Sequence, residues 1–130
     1  MANRINVASQ AWPPNSLPGA LSADFSQAVT VDGDVVDTGA IFLLINNTDT
    51  VTWTVTVRAT VLLQGLAVSN LVGTVAAGKV AVIGPIPQNL FGQPAGANAS
   101  GGNDQYRAYV DYSATGGTIA NLKRAAVKYR

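Results

Sequence analysis

The sequence predicts an all-β protein: an antiparallel β-sandwich or jelly roll of about eight to nine strands, with an extended Pro-rich N-terminal arm. One observation behind this prediction is a strict alternation of apolar and polar residues between Thr50 and Val61. A second is that turn-forming residues separate short apolar segments at spacings of roughly 8 to 12 residues. The length of 130 residues suits one domain with its own core.

The alternating segment TVTWTVTVRATV is expected to form one half-buried strand, because successive side chains of a strand point to opposite faces. Its polar positions carry five threonines and one arginine, which are not residues typical of a catalytic site. The apolar positions are expected to face the core: Val51, Trp53, Val55, Val57, Ala59 and Val61.

The composition argues against most kinds of enzyme. The chain contains no cysteine, no histidine and no glutamate, so that seven aspartates are its only side-chain carboxylates. A thiolate metal site, a disulfide framework and a histidine general base are therefore excluded. We expect no enzymatic activity, no cofactor and no metal site.

The charge pattern points to contacts with other proteins. Charged residues make up 12% of the chain and the net charge is +1, whereas a nucleic-acid-binding protein normally carries a concentrated basic face. The N-terminal segment lacks the apolar run of a Sec-type signal, and no apolar run is long enough to span a membrane. We expect a protein made in the cytoplasm, without a direct nucleic-acid or membrane role.

Residues 1–21 are expected to form the extended arm, because prolines interrupt the segment and cannot donate to a β-ladder. Trp12, Pro13, Pro14 and Leu17 either anchor this arm on a neighbouring molecule or pack on its own domain. The sandwich domain is expected to span residues 22–122, followed by a basic C-terminal tail at 123–130.

The first half of the sandwich is expected to contain two hairpins. Residues 25–36 read as two short strands around the Asp32–Gly33 turn. The apolar segment Ile41–Asn46 fits a central strand, and a turn over residues 47–50 would join it to the alternating strand.

The second half is expected to begin with two strands around Ala77–Gly78, the second of which ends at Pro85. A short strand at Asn89–Phe91 and a loop of small residues at Gln93–Asp104 would follow. The segment YRAYVDYSA alternates again and predicts a strand. The last strand is expected to reach Leu122, although residues 119–130 also show helical spacing.

Three aspartates within six residues, Asp32, Asp34 and Asp37, could supply oxygen ligands to a calcium ion. The spaced ligands and the closing glutamate of an EF-hand loop are missing, however. A turn and solvated strand ends explain all three carboxylates, and we prefer this interpretation.

Two other sets of residues could form a carbohydrate site. Asp104 and Asp111 could be imagined as a glycosidase pair, but an exposed ion pair between Asp111 and Arg107 is the ordinary explanation. Trp12 and Tyr109 could stack on a sugar. Three further aromatic residues alternate along their strands in phase with apolar residues and are therefore expected in the core: Trp53, Tyr106 and Tyr112.

The order of the segments resembles small β-sandwich virion proteins of tailed bacteriophages, several of which are head decoration (cement) proteins. The resemblance covers residues 40–120: IFLLINNTDT, then VTWTVTVRA, the stretch from Gly65 to Pro85, LFGQ and YRAYVDYSATGGTI. Its most specific piece is A-A-G-x-x-x-x-I-G-P, in which Gly78 would make a turn and Pro85 would end a strand. The WPP arm, the long Gln93–Asp104 loop and the basic tail depart from the family pattern.

The resemblance implies a capsid decoration protein that binds the outer surface of an assembled phage head and bridges subunits of the major capsid protein. A homo-oligomer, with a trimer favoured, would gain avidity from several such contacts. The expected contact residues lie in the arm, the loop and the tail: Trp12, Pro13, Pro14, Leu17, Asn98, Lys123, Arg124, Lys128 and Arg130. A head–tail joining or tail structural protein and a carbohydrate-binding module remain alternatives.

Overall fold

A computed structural model describes residues 4–11, 29–59, 62–63, 66–67 and 69–128 of the chain. Within these residues the strands are β1 (Ile5–Asn6), β2 (Ser9–Ala11), β3 (Asp34–Val36), β4 (Ile41–Asn47), β5 (Trp53–Val57), β6 (Leu62–Leu63), β7 (Leu66–Ala67), β8 (Leu71–Val75), β9 (Val80–Ile83), β10 (Ala108–Ser113) and β11 (Leu122–Lys128). One helical turn, α1 (Gln88–Phe91), and a 3-10 turn at Ile119–Asn121 complete the regular structure.

The described strands form two main sheets, which confirms the predicted all-β sandwich. One sheet has the order β1-β3-β10-β5-β8 and the other the order β2-β11-β4-β9. A small separate ribbon pairs β6 with β7. Pairing in the main sheets is antiparallel except for the short strands β1 and β2, which run parallel to β3 and β11.

The core lies between the two sheets and is built from the inward-facing residues of each strand. In β5 the burial alternates as the sequence predicts, with Trp53, Val55 and Val57 buried and the two threonines half-buried. The fully buried apolar side chains from both sheets include Val36, Ile41, Leu43, Ile45, Val55, Val57, Ile86, Ala108, Val110 and Ala126.

The chain crosses between the sheets where the sequence predicts a hairpin. The central strand β4 lies in the four-stranded sheet, whereas β5 lies in the five-stranded sheet, so the two strands do not pair. The hairpin prediction for residues 41–61 is therefore wrong. Alternation along a strand shows which face is buried, but it does not show which neighbour supplies the hydrogen bonds.

The turn at Ala77–Gly78 makes a second crossing. It separates β8 from β9 as predicted, with Gly78 at a φ of 73°, yet β8 pairs with β5 and β9 pairs with β4. The turn at Asp32–Gly33 also forms and leads into β3, while the other predicted strand of that hairpin starts at Phe25, outside the described residues.

Three boundaries differ from the sequence predictions. Asn89–Phe91 belongs to the helical turn α1 instead of a strand, because the amides of Leu90 and Phe91 turn back to the Pro87 carbonyl. Leu122 begins the last strand instead of ending it, so residues 123–128 are strand and not tail. Residues 5–6 and 9–11 of the predicted arm form strands at the edges of the two sheets.

Candidate functional site

A buried ion pair joins the two sheets through the core. The carboxylate of Asp34, on β3, accepts hydrogen bonds from Nε and Nη2 of Arg124, on β11, both at 2.7 Å. Neither side chain is exposed to solvent. This two-point geometry offsets part of the desolvation of both charges, because a planar guanidinium matches a carboxylate.

Tyr112, on β10, donates its hydroxyl proton to the same Asp34 carboxylate. Burial raises the pKa of Tyr112 well above its usual value, and the negative charge of Asp34 adds to this effect. The hydroxyl therefore remains protonated and serves as a hydrogen-bond donor. The arrangement is structural, since all three groups are occupied with one another inside the sandwich.

The burial of Asp34 and Arg124 corrects two sequence interpretations. Asp34 is not a solvated strand end, and Arg124 is not an exposed tail residue. Asp34 lies opposite Val110 of β10, whereas Asp32 is exposed in the preceding turn and Asp37 receives a hydrogen bond from Arg107. The described residues include no group of three or more histidine, cysteine, aspartate or glutamate side chains that could hold a metal ion.

Arg4 and Asp111 form a second network at the surface of the five-stranded sheet. Arg4 Nη2 donates to Asp111 Oδ1 at 2.8 Å, and Arg58 donates to the other oxygen of the same carboxylate. The predicted partner of Asp111 was Arg107, which instead pairs with Asp37. Asp111 is thus ion-paired, but with different arginines, which come from the segments before β1 and after β5. The pair is not fully exposed as predicted, because the Arg4 side chain is buried.

Tyr109 is not available as a stacking platform on the face that Arg4 covers. The Arg4 guanidinium carbon lies 4.5 Å from the centroid of the Tyr109 ring, which is a cation–π contact. The Tyr109 hydroxyl donates to Asp104 at 3.0 Å and accepts from the Ala99 amide at 3.2 Å. Burial raises the pKa of Tyr109, with the neighbouring Asp104 acting in the same direction.

Asp104 fixes the loop of small residues against this sheet. Its carboxylate is buried and accepts hydrogen bonds from the hydroxyl and the amide of Ser100 as well as from Tyr109. Burial alone would raise the pKa of Asp104, but these hydrogen bonds outweigh it and lower the pKa. Asp104 is therefore a loop anchor, and Asn98 lies exposed near the middle of the anchored loop.

The INNTDT segment forms a polar corner where the chain crosses between the sheets. Asn47 is buried, and its amide donates to the carbonyls of Val51 and Val75 at 2.8 and 2.9 Å. Asp49 accepts from the amide of Thr118, the amide of Thr50 and the indole of Trp53, and these hydrogen bonds lower its pKa. The corner ties both sheets together at one end of the sandwich.

Trp53 lies in the core, as predicted, whereas Tyr106 is 57% exposed. The core prediction for Tyr106 is wrong because β10 begins only at Ala108, and Tyr106 precedes it in a turn with a φ of 68°. Alternation therefore does not extend to this position.

Beside the Arg4–Asp111–Arg58 network, the outer face of the five-stranded sheet carries a patch of threonine and serine side chains. Thr54 lies between Ser113 and Thr74 on the neighbouring strands, and Thr56 lies between Asp111 and Val72. The only charge in these two rows is the carboxylate of Asp111, which two arginines neutralise. A shallow groove of about 540 Å³ opens along this face, lined by Val51, Thr52, Thr54, Ser113, Ala114 and Thr115.

The remaining expected contact residues are not gathered at one place by any described interaction. Asn98, Lys123 and Lys128 are exposed, and within the described chain the lysines take part in none of the four salt bridges. The other expected contacts lie outside the described residues: Trp12, Pro13, Pro14, Leu17 and Arg130.

Comparison with known proteins finds no relative of this chain. No family model matches it, and no curated protein or solved structure is significantly similar to it. Among the described residues, no helix has the length and apolarity needed to cross a membrane.

Proposed function

We propose that this chain is a virion structural protein, a capsid decoration protein that binds the outer surface of an assembled phage head. The observation that carries the proposal is the threonine face of the five-stranded sheet, in which Thr54 and Thr56 lie between Ser113, Thr74, Asp111 and Val72, within the segments that resemble phage β-sandwich virion proteins. Such a face can lie against another protein with little desolvation of charge, because hydroxyl groups exchange water for neutral hydrogen bonds.

The cross-links between the sheets also suit a protein under mechanical load. The Asp34–Arg124 pair and the Asn47–Asp49 corner each connect elements of both sheets. A protein that bridges capsid subunits transmits force from one contact to another, so its sheets must not slide. Polar contacts with defined geometry oppose sliding more specifically than apolar packing does.

The expected partner is the major capsid protein, and the expected assembly is a homo-oligomer. Several weak contacts then act together, since the second contact forms at a high effective concentration once the first is made. Exposed Asn98, Lys123 and Lys128 are the described residues that we propose as additional contacts. Arg124 is no longer proposed, because its guanidinium is buried against Asp34.

A head–tail joining or tail structural protein is the first alternative, and it would use the same surfaces in fewer copies. A carbohydrate-binding module is the second. The contact of Arg4 with one face of the Tyr109 ring weakens this second alternative.

The proposal can be tested by co-sedimenting the purified protein with shells assembled from the major capsid protein of the same phage. Binding should saturate at a simple ratio of this chain to capsid subunits. Thr54→Lys should weaken binding by about ten-fold or more, because it adds a charge to the middle of the threonine face. Asn89→Lys is the matched control, since Asn89 is exposed on α1, whose Gln88 lies beside Tyr106 and Arg107 before the start of β10, whereas Thr54 pairs with Ser113 at the other end of β10. Equal binding of both variants and the wild type would reject the threonine face as the contact.

A further inference from the structure

Exposed apolar side chains are concentrated on two neighbouring strands. Among the described residues five large hydrophobic side chains are exposed, and three of them are on β8 and β9: Val72 (58%), Val80 (61%) and Val82 (59%). Val80 and Val82 lie opposite Asn46 and Leu44 on the outer face of the four-stranded sheet. These valines are not needed for the core, whose inward positions on β9 are Ala81 and Ile83.

Both strands are also sheet edges on one side of the sandwich. In the described chain β8 ends the five-stranded sheet and β9 ends the four-stranded sheet. The two edges are close, because a Cβ atom added to Gly73 would lie 3.1 Å from Ile83 Cδ1. Among the described strands, none pairs with the outer side of either edge, where backbone donors and acceptors therefore lack a strand partner.

Neither edge carries the usual protection against pairing with another strand. Natural sheet edges are commonly blocked by charged residues, prolines or bulges. Neither β8 (LVGTV) nor β9 (VAVI) contains a charged residue or a proline. The edges on the opposite side of the sandwich are shorter, with two residues in β1 and three in β2.

We propose that a second copy of this chain pairs with β9 edge to edge, in an antiparallel arrangement about a two-fold axis. An antiparallel pair of identical strands is self-complementary, so that both copies use the same surface. Val80 and Val82 of the two copies would then become cross-strand neighbours on one continuous outer face. The sheet would grow from four strands to eight, and the exposed backbone groups of β9 would be satisfied.

The charge distribution favours a second copy as the occupant. β9 itself contains no charged residue, and the nearest charge along the chain is Lys79, which immediately precedes the strand. Antiparallel pairing places the two Lys79 residues at opposite ends of the contact, so the copies do not repel each other there. A whole-chain net charge of +1 adds little long-range repulsion.

This inference rests on the proposed function only for the expectation that copies associate, and it replaces the favoured trimer with a two-fold pair. The test of this pairing and the test of the virion role can give different results. A dimer in solution that is absent from particles would reject the proposed function and leave the pairing intact.

The test is sedimentation equilibrium of the full chain and of single variants. The wild type should show twice the chain mass of 13.4 kDa. Val82→Lys and Val80→Lys should each weaken association by at least about ten-fold, because each brings the two like charges to diagonal cross-strand positions, about 7–8 Å apart. Val31→Lys should associate as the wild type does, since Val31 is 82% exposed in the turn before β3, and β10 and β5 separate β3 from the edge strand β8.

Circular dichroism spectra and thermal unfolding check that each variant is folded. Two lysine variants are used so that a folding defect in one does not decide the result. A wild type that is monomeric at its highest soluble concentration, or trimeric, would overturn the proposal. Unchanged association of folded Val82→Lys and Val80→Lys would overturn it as well.

Discussion

At the scale of single residues, the sandwich depends on buried charge that is fully paired. Asp34 and Arg124 are as inaccessible as the apolar core around them. Such a pair contributes little net stability compared with an apolar pair, but the loss of one partner leaves an uncompensated buried charge.

Replacement of Arg124 by methionine should lower the free energy of unfolding by about 3–5 kcal/mol, as expected for breaking a buried pair. The double variant Asp34→Leu/Arg124→Met should lose less than the sum of the two single variants, because it leaves no unpaired charge. Urea unfolding measures both effects. Arg58→Met is the control, since Arg58 is 54% exposed in its pair with Asp111, and it should change the free energy by at most about 1 kcal/mol. Equal effects of Arg124→Met and Arg58→Met would contradict the account.

Asp49 should make the protein sensitive to acid. Its pKa is lowered in the folded protein by hydrogen bonds from the Thr118 amide, the Thr50 amide and the Trp53 indole. The stabilisation is therefore complete above the unfolded-state pKa of about 4 and is lost as the pH falls toward the lower folded-state pKa.

The check is urea unfolding between neutral pH and about pH 2, across the range in which aspartates titrate. Asp49→Asn should be less stable than the wild type at neutral pH and should lose less stability on acidification. Asp32→Asn is the control, because Asp32 is exposed in a turn and has no hydrogen-bond partner among the described residues. If Asp49→Asn and the wild type have parallel pH profiles, the proposed role of Asp49 is wrong.

At the scale of elements, the turn before β3 fixes where Asp34 enters the core. Gly33 has a φ of 83°, and a methyl group there would lie 2.5 Å from the Val110 carbonyl oxygen. Gly33→Ala should therefore destabilise the fold by more than about 2 kcal/mol, since steric overlap adds to left-handed strain. Thermal unfolding measures the effect. Gly39→Ala is the matched control, because its φ is 97° but nothing lies within 4 Å of the added carbon. A larger loss for Gly39→Ala would contradict this explanation.

Among the elements, strand burial and turns are predictable from the sequence, whereas strand pairing is not. Alternation in residues 51–57 correctly predicts the buried parity of β5, and the turns at Gly33 and Gly78 form where expected. Both depend on local chemistry. The pairing of β4 and β5 with different strands was not predictable in this way, since hydrogen-bond partners come from distant parts of the chain.

The candidate site likewise combines a feature that the sequence predicts with one that it does not. The neutral threonine face follows from the sequence pattern of β5, whereas the Asp34–Arg124 pair joins residues 90 positions apart. An isolated aspartate beside a turn and an arginine in a basic segment each have an ordinary exposed interpretation. One sequence feature could have indicated that Arg124 is buried. It is the apolar segment that follows, in which Ala125, Ala126 and Val127 are all buried.

At the scale of the whole molecule, the described surfaces have different roles. The threonine face of the five-stranded sheet is proposed to contact the shell, and the β9 edge is proposed to contact a second copy. The threonine face belongs to the five-stranded sheet and the β9 edge to the four-stranded sheet, so we expect that one molecule can use both. A paired molecule presents two threonine faces, which is the condition for avidity on a repetitive surface.

The proposed virion role can be tested by the copy number of this chain in purified phage particles, measured by quantitative mass spectrometry against the major capsid protein. We expect a ratio near one or a simple fraction of it. A handful of copies per particle would indicate a head–tail or tail protein instead. Absence from the particles would contradict the virion role altogether.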